Sequence, residues 1–293
     1  MQLDGEVSTS NKIGGEKPQE SRGPDSRSIL EKQRKVNLAR EGLYSFLARS
    51  FKYEVDTEFL TMVAAVQPVL EQLASAEHGA ELRKATELLA TVSSKAAVLE
   101  GPQRKKMLLD LAVEYTNLFL NPSEQAGRER VYPWESAYFT EPPRIYGTPY
   151  HEGVEAFRMV GFEKPKGYTE AEDHIALELE FMAHLTRLTI ASIDNGKMDF
   201  ASGYVKLQKE FLTDHLLRWV GTFSKRLMKN SEKRETNFYY ALGMMLERFI
   251  TLDHQTLDYI AAELTSVSGE QEETQALQEP NEMGSAAARV EKS

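Results

Sequence analysis

Apolar side chains recur along this chain at steps of three and four residues, and almost nowhere at steps of two. Leu108, Leu111, Tyr115 and Leu118 make one such row, and Leu212, Leu216, Trp219, Phe223 and Leu227 another. Phe238, Leu242, Met245, Phe249 and Leu252 continue it after a polar break at 229–232, and Leu43, Phe46, Leu47 and Phe51 stand in an earlier segment. At about 100° per residue such positions share one face of an α-helix. No alternating run predicts a strand, and no fixed period predicts a solenoid. The expected fold is all-α, a single helical bundle over residues 28–265. Residues 1–27 and 266–293 are polar and lack the period, so disordered tails are expected there, the second one acidic.

The chain has 293 residues, no cysteine and a net charge of −10. Disulfides, thiol nucleophiles and cysteine-held metals or clusters are therefore excluded. An acidic chain lacks the basic surface that nucleic acid needs, so a basic partner is expected and nucleic acid is not. No apolar run approaches the roughly 20 residues that span a bilayer. The N-terminus lacks the order of a secretory signal. Cytoplasmic location with no integral membrane segment is the expectation.

Catalytic motifs are missing. There is no HExxH, no phosphate-binding glycine loop and no G-x-S-x-G elbow. His174–Glu178 and Glu180–His184 are i,i+4 pairs. At about 100° per residue, Glu178 lies roughly 40° from His174, with Glu180 and His184 roughly 240–280° round. The two pairs face different ways, and neither supplies enough ligands for a metal site.

Two other stretches stand out. From Asn121 to Pro149 the chain carries prolines at 122, 133, 142, 143 and 149 and no helical stripe. A connection much longer than about 12–15 residues is usually functional or disordered. This one holds Tyr132, Trp134, Tyr138, Phe139 and Tyr146, rings that expect something to pack on; a functional loop and a structural tether both fit. The second stretch, Thr169-Glu170-Ala171-Glu172, has capping-box spacing and predicts a helix start ahead of Ile175, Leu179, Met182 and Leu185. Residues 163–180 hold six acids against two lysines. An acidic face beside aromatic rings suits a peptide with basic and apolar parts. Complementing a helix N-terminus also explains Glu170, Glu172 and Asp173, although it leaves Glu178 and Glu180 without a role.

At these stretches the sequence resembles the TorD/DmsD/NarJ-type redox-enzyme maturation family. Tyr115-Thr116-Asn117-Leu118-Phe119 followed by Pro133-Trp134-Glu135-Ser136-Ala137-Tyr138 is similar to its Tyr-x-x-Leu-Phe and Pro-[Tyr/Trp]-x-Ser-x-Tyr motifs. Glu170-Ala171-Glu172-Asp173-His174 resembles its Glu-Pro-x-Asp-His signature, with alanine in the proline position. Phe211 to Leu216, Trp219, Phe223 and Phe238-Tyr239 resemble its C-terminal helices. The likeness runs from about residue 36 to about 255.

The resemblance implies a non-enzymatic cytoplasmic chaperone without a cofactor of its own. Its partner would be the catalytic subunit of a molybdenum-cofactor oxidoreductase, bound through a twin-arginine-type N-terminal signal segment and held until cofactor is inserted. By resemblance Asp173 and His174 belong to the peptide-recognition patch, and Trp134, Ser136 and Tyr138 to an aromatic wall beside it. Glu170 and Glu178 are the supporting acids. Both a monomer and a helix-swapped dimer fit. A metal-dependent helical enzyme and an adaptor unrelated to redox enzymes are the alternatives.

Overall fold

The computed structural model describes residues 25–63, 68, 80–120, 129–232 and 236–278. Helix α1 (Ser26–Lys52) opens on an Asp25 cap whose carboxylate accepts the Ser28 N–H at 2.7 Å, so the chain is helical two residues before the expected boundary. A short helical stretch covers 57–63. Then come α2 (Ala80–Val98) and α3 (Gly101–Tyr115), the latter opened by Pro102 and continued as a π-helical turn over Thr116–Leu120. The proline-rich connection contains a 3-10 turn at Glu135–Tyr138, and residues 121–128 of it lie outside the described residues. Helices α4 (Thr148–Met159), α5 (Ile175–Asp194), α6 (Met198–Phe211), α7 (Leu217–Ser231) and α8 (Phe238–Gln278) complete the order, with a π turn at Leu212–Leu216 between α6 and α7.

The all-α expectation holds: among the described residues the β contribution is a lone bridge between Trp134 and His174. Helix α5 lies at the centre, packed on α1 and α6, while α8 runs along α1, α2, α6 and α7. The expected stripe of α5 is buried, and so are Ala176, Leu177, Phe181 and Ala183 between its members. A helix apolar on all sides is an interior helix. No described helix is long and apolar enough to cross a membrane.

Two expected boundaries move. Helix α8 does not stop at 265: Leu257, Ile260, Leu264 and Val267 form a continuing buried row, and the helix reaches Gln278. Its last turns are too polar in sequence to show an apolar period. The rest of both expected tails, 1–24 and 279–293, lies outside the described residues. Helix α5 does not begin at a Thr169 capping box. It begins at Ile175, where the His174 ring nitrogen accepts the Ala176 N–H at 3.1 Å. Glu172, the expected box partner, is turned to Lys164 at 3.1 Å. Lys164 also donates to the Glu170 carbonyl at 2.8 Å, which holds 169–173 as a turn rather than a helix.

Packing is aromatic around Phe51, which meets Phe223 at 5.6 Å and Phe119 at 6.2 Å, with Trp219 5.4 Å beyond Phe223. Such edge contacts add about 0.5–1.5 kcal/mol each to the burial itself. The interior also holds a charged pair. Arg40 makes two hydrogen bonds to Asp253, at 2.5 and 2.8 Å, and reaches Asn37 and Gln208, each at 2.7 Å. Tyr44 donates to Asp253 at 2.6 Å. This clamp ties α1, α6 and α8 together.

Candidate functional site

The proline-rich loop is stitched across the start of α5 by its backbone. Ile175 N–H donates to the Pro133 carbonyl at 2.8 Å, and Glu135 N–H to the Asp173 carbonyl at 2.9 Å. Ser136 N–H donates to Asp173 Oδ2 at 2.9 Å. Further on, Gly147 N–H donates to Ser136 Oγ at 3.0 Å; a Cβ at Gly147 would stand 3.1 Å from that same oxygen, so glycine permits the close return into α4. The loop is a tether, and the rings it carries are placed by it.

One result is a cavity of about 300 Å³ between the end of α1 and the loop. Tyr53, Tyr115, Trp134 and Tyr168 supply its aromatic walls, His174 lies at its floor, and Glu54 and Glu170 stand beside them. Gly167, at a positive φ of 84°, makes the turn that presents Tyr168. The Lys52 ammonium lies 4.9 Å from the Tyr168 ring centre and bonds Glu180 at 2.6 Å, so its charge is already matched. The Glu54 and Glu170 carboxylates have no cation partner among the described residues: Arg49 and Lys164 donate to the two backbone carbonyls, at 3.2 and 2.8 Å, and the Glu54 carboxylate accepts the Thr116 hydroxyl at 3.2 Å. Burial, with the Lys52 charge adding to it, pushes the His174 imidazole down to a pKa of about 3. It is a neutral acceptor, 3.2 Å from the Tyr168 hydroxyl.

Behind the cavity lies a second, fully enclosed layer. Glu135 and Glu178 are 0% and 2% exposed, and Asp173 is 1% exposed. Glu135 Oε2 pairs with His215 Nδ1 at 2.8 Å, and Trp219 Nε1–H donates to Glu178 Oε2 at 3.2 Å. Tyr138 packs on Trp219 at 5.2 Å and donates to the Tyr132 carbonyl at 2.9 Å. Burial, then Glu135 and Asp173, hold the Glu178 carboxyl well above the usual carboxylate range.

The structure thus sorts the residues singled out from sequence into two tiers. Trp134, Glu170 and His174 line the cavity, whereas Ser136, Asp173 and Glu178 are enclosed behind the wall, with half-buried Tyr138 packed against Trp219 beside them. The six acids of 163–180 are not one acidic face: Glu172 and Glu180 are paired with lysines, and Asp173 and Glu178 are buried. As the helix-angle argument required, Glu178 and Glu180 face different neighbours. Lys52, Tyr53 and Glu54 escaped sequence reasoning because they carry no motif and lie far from the loop in the chain. Glu135 and His215 sat inside the quoted segments, but only the fold pairs them.

The same segments decide the family. The family model described as nitrate reductase delta subunit matches residues 75–225, more than half of the chain. The chain belongs to the nitrate reductase delta subunit family. Curated relatives carry the name chaperone protein TorD. That of Shewanella sp. (strain ANA-3) is 24% identical over 225 residues, covering 76% of this chain and 96% of its own length. That of Psychrobacter sp. (strain PRwf-1) is 27% identical over 226 residues, covering 77% and 95%. A third, from Vibrio cholerae serotype O1 (strain ATCC 39315 / El Tor Inaba N16961), is 28% identical over 160 residues, covering 55% and 68%. The TorD-type resemblance drawn from the motifs is thereby borne out across most of the chain.

Proposed function

We propose that this chain is a cytoplasmic, non-enzymatic chaperone for the catalytic subunit of a molybdenum-cofactor oxidoreductase. It binds the subunit's twin-arginine-type N-terminal segment and holds the apoenzyme until cofactor is inserted. The observation that carries this reading is the aromatic cavity with two carboxylates, Glu54 and Glu170, that have no cation partner among the described residues. A guanidinium fits that chemistry. It stacks on aromatic faces and bonds carboxylates through two parallel N–H donors.

In this reading Trp134, Glu170 and His174 meet the peptide, as part of the motifs shared with the family. Asp173, Ser136, Tyr138 and Glu178 position them. Neutral His174 favours the arrangement, because an imidazolium at the floor would repel the incoming charge. Recognition of a basic and apolar segment in a groove needs no reaction at the site.

The test is titration of the full chain with a synthetic peptide carrying the arginine pair. Glu54→Gln with Glu170→Gln should weaken binding by about tenfold, since partly exposed pairs are worth roughly 0.2–1 kcal/mol each. Higher salt should narrow the gap between variant and wild type. Equal affinity of wild type and double variant at low salt would remove the cavity from the account.

A further inference from the structure

Under the Trp134–His174 bridge, three carboxyl groups from three segments meet away from solvent: Glu135 from the loop, Asp173 from the turn and Glu178 from the first turn of α5. Each has one oxygen served by a donor, namely His215 Nδ1, the Ser136 N–H and Trp219 Nε1–H. Each has a second oxygen with no donor in reach: Glu135 Oε1, Asp173 Oδ1 and Glu178 Oε1. His215 and Trp219, the partners of Glu135 and Glu178, stand four residues apart on one continuous helical run, which brings the two carboxyl groups side by side.

Two buried carboxylates side by side repel one another strongly when both are charged. One proton between them turns repulsion into an O–H···O bond and supplies the donor that the orphaned oxygens lack. The charged surroundings offer no other remedy. His215, from the π turn, faces Glu135 and is committed to it. Arg226, from α7, lies over the Tyr138 ring, 5.0 Å from its centre, and is paired with Glu129. Lys52, from α1, is bound to Glu180, and His174 is neutral.

We propose that Glu178 is a positioning residue sharing a proton with Glu135, and that this proton holds segment 133–138, with its Trp134 wall, against α5. When the proton leaves, two charges face each other under the backbone hydrogen bonds of Glu135 and Ser136, and the segment loosens. The cavity then loses a wall. The consequence for peptide binding rests on the functional reading above; the hold on the loop does not.

The test is amide hydrogen exchange of the full chain, read on segment 133–138 and corrected for the intrinsic pH dependence of exchange. Wild type should lose protection at least tenfold as pH is raised from about 6 to about 9.5, while α8 stays protected. Glu178→Gln keeps a neutral donor against Glu135 and should hold the segment protected across that range. Glu178→Ala, which cannot bridge, should expose it at every pH, and protection of α8 reports that the variant is folded. A Glu178→Gln protein that loosens with pH as wild type does would overturn the proposal, as would a wild type with no loss of protection up to about pH 9.5. Peptide affinity is read in parallel. If no peptide binds at any pH while exchange behaves as expected, the functional reading falls and the shared proton stands.

Discussion

Two charged networks are buried in this molecule, and they are built differently. Arg40 and Asp253 in the helical core satisfy one another with short bonds, and Tyr44, Asn37 and Gln208 take up neighbouring positions. Glu135, Asp173 and Glu178 beneath the loop bring three acids together and leave an oxygen of each without a donor. The first network gives every charged atom a partner and fixes three helices. The second is complete only with an added proton, and it sits under the wall of the candidate site. The scaffold is held unconditionally, whereas the loop is held on a condition.

The sharpest way to break that contrast is at the core clamp. Asp253→Ala leaves the Arg40 charge buried and unmatched, which costs about 3–5 kcal/mol. A urea titration should show a large fall in midpoint with an unchanged slope. A loss below about 1 kcal/mol would mean that the clamp is not the fixed element described. Next in size is the pH dependence. Burial lowers the His174 pKa from 6.5 to about 3, so the unfolded chain binds more protons there, and stability rises with pH across that window. Glu178 is raised above 4.5, so the folded chain binds more protons, and stability falls as pH climbs from 4.5 through its folded value. The two trends oppose one another above 4.5, the His174 gain ends near 6.5, and the Glu178 loss runs at up to about 1.4 kcal/mol per pH unit while it lasts. Comparing wild type with Glu178→Gln by urea unfolding at several pH values isolates it: the variant should lack the alkaline decline.

A smaller effect is expected at the helix cap. His174→Ala removes the acceptor for the Ala176 N–H and should destabilise by about 0.5–2 kcal/mol. His174→Asn, which can cap in its place, should recover most of that in the same assay. Smallest is Tyr138→Phe, which loses one hydrogen bond to the Tyr132 carbonyl and should cost about 0.5–1.5 kcal/mol.

How much of this was legible in the sequence follows from the range of each signal. Helical period is local, so the rows at 108–118, 212–227 and 238–252 reappear as α3 with its π turn, the π turn with α7, and α8. The Thr169 capping box is local too, yet tertiary bonding overrode it: Lys164 took Glu172, and Asp173 was drawn to Ser136. The motif residues Trp134, Asp173 and His174 lie together in the fold, but sequence does not report burial, so an enclosed Asp173 reads like a surface partner. Lys52, Tyr53 and Glu54 were out of reach, because only the packing of α1 on α5 brings them to the loop.

The central claim is that the cavity between the end of α1 and the 133–136 segment receives the basic part of a signal segment. Placing a photo-crosslinking phenylalanine analogue at Tyr53, and in a second protein at exposed Met159 on α4, tests it most directly. With the arginine-pair peptide bound, irradiation should join position 53 to residues beside the arginines and leave position 159 unlinked, with the adduct lost in Glu54→Gln, Glu170→Gln protein. Adducts at 159 but not at 53, or an adduct at 53 indifferent to the two acids, would contradict it.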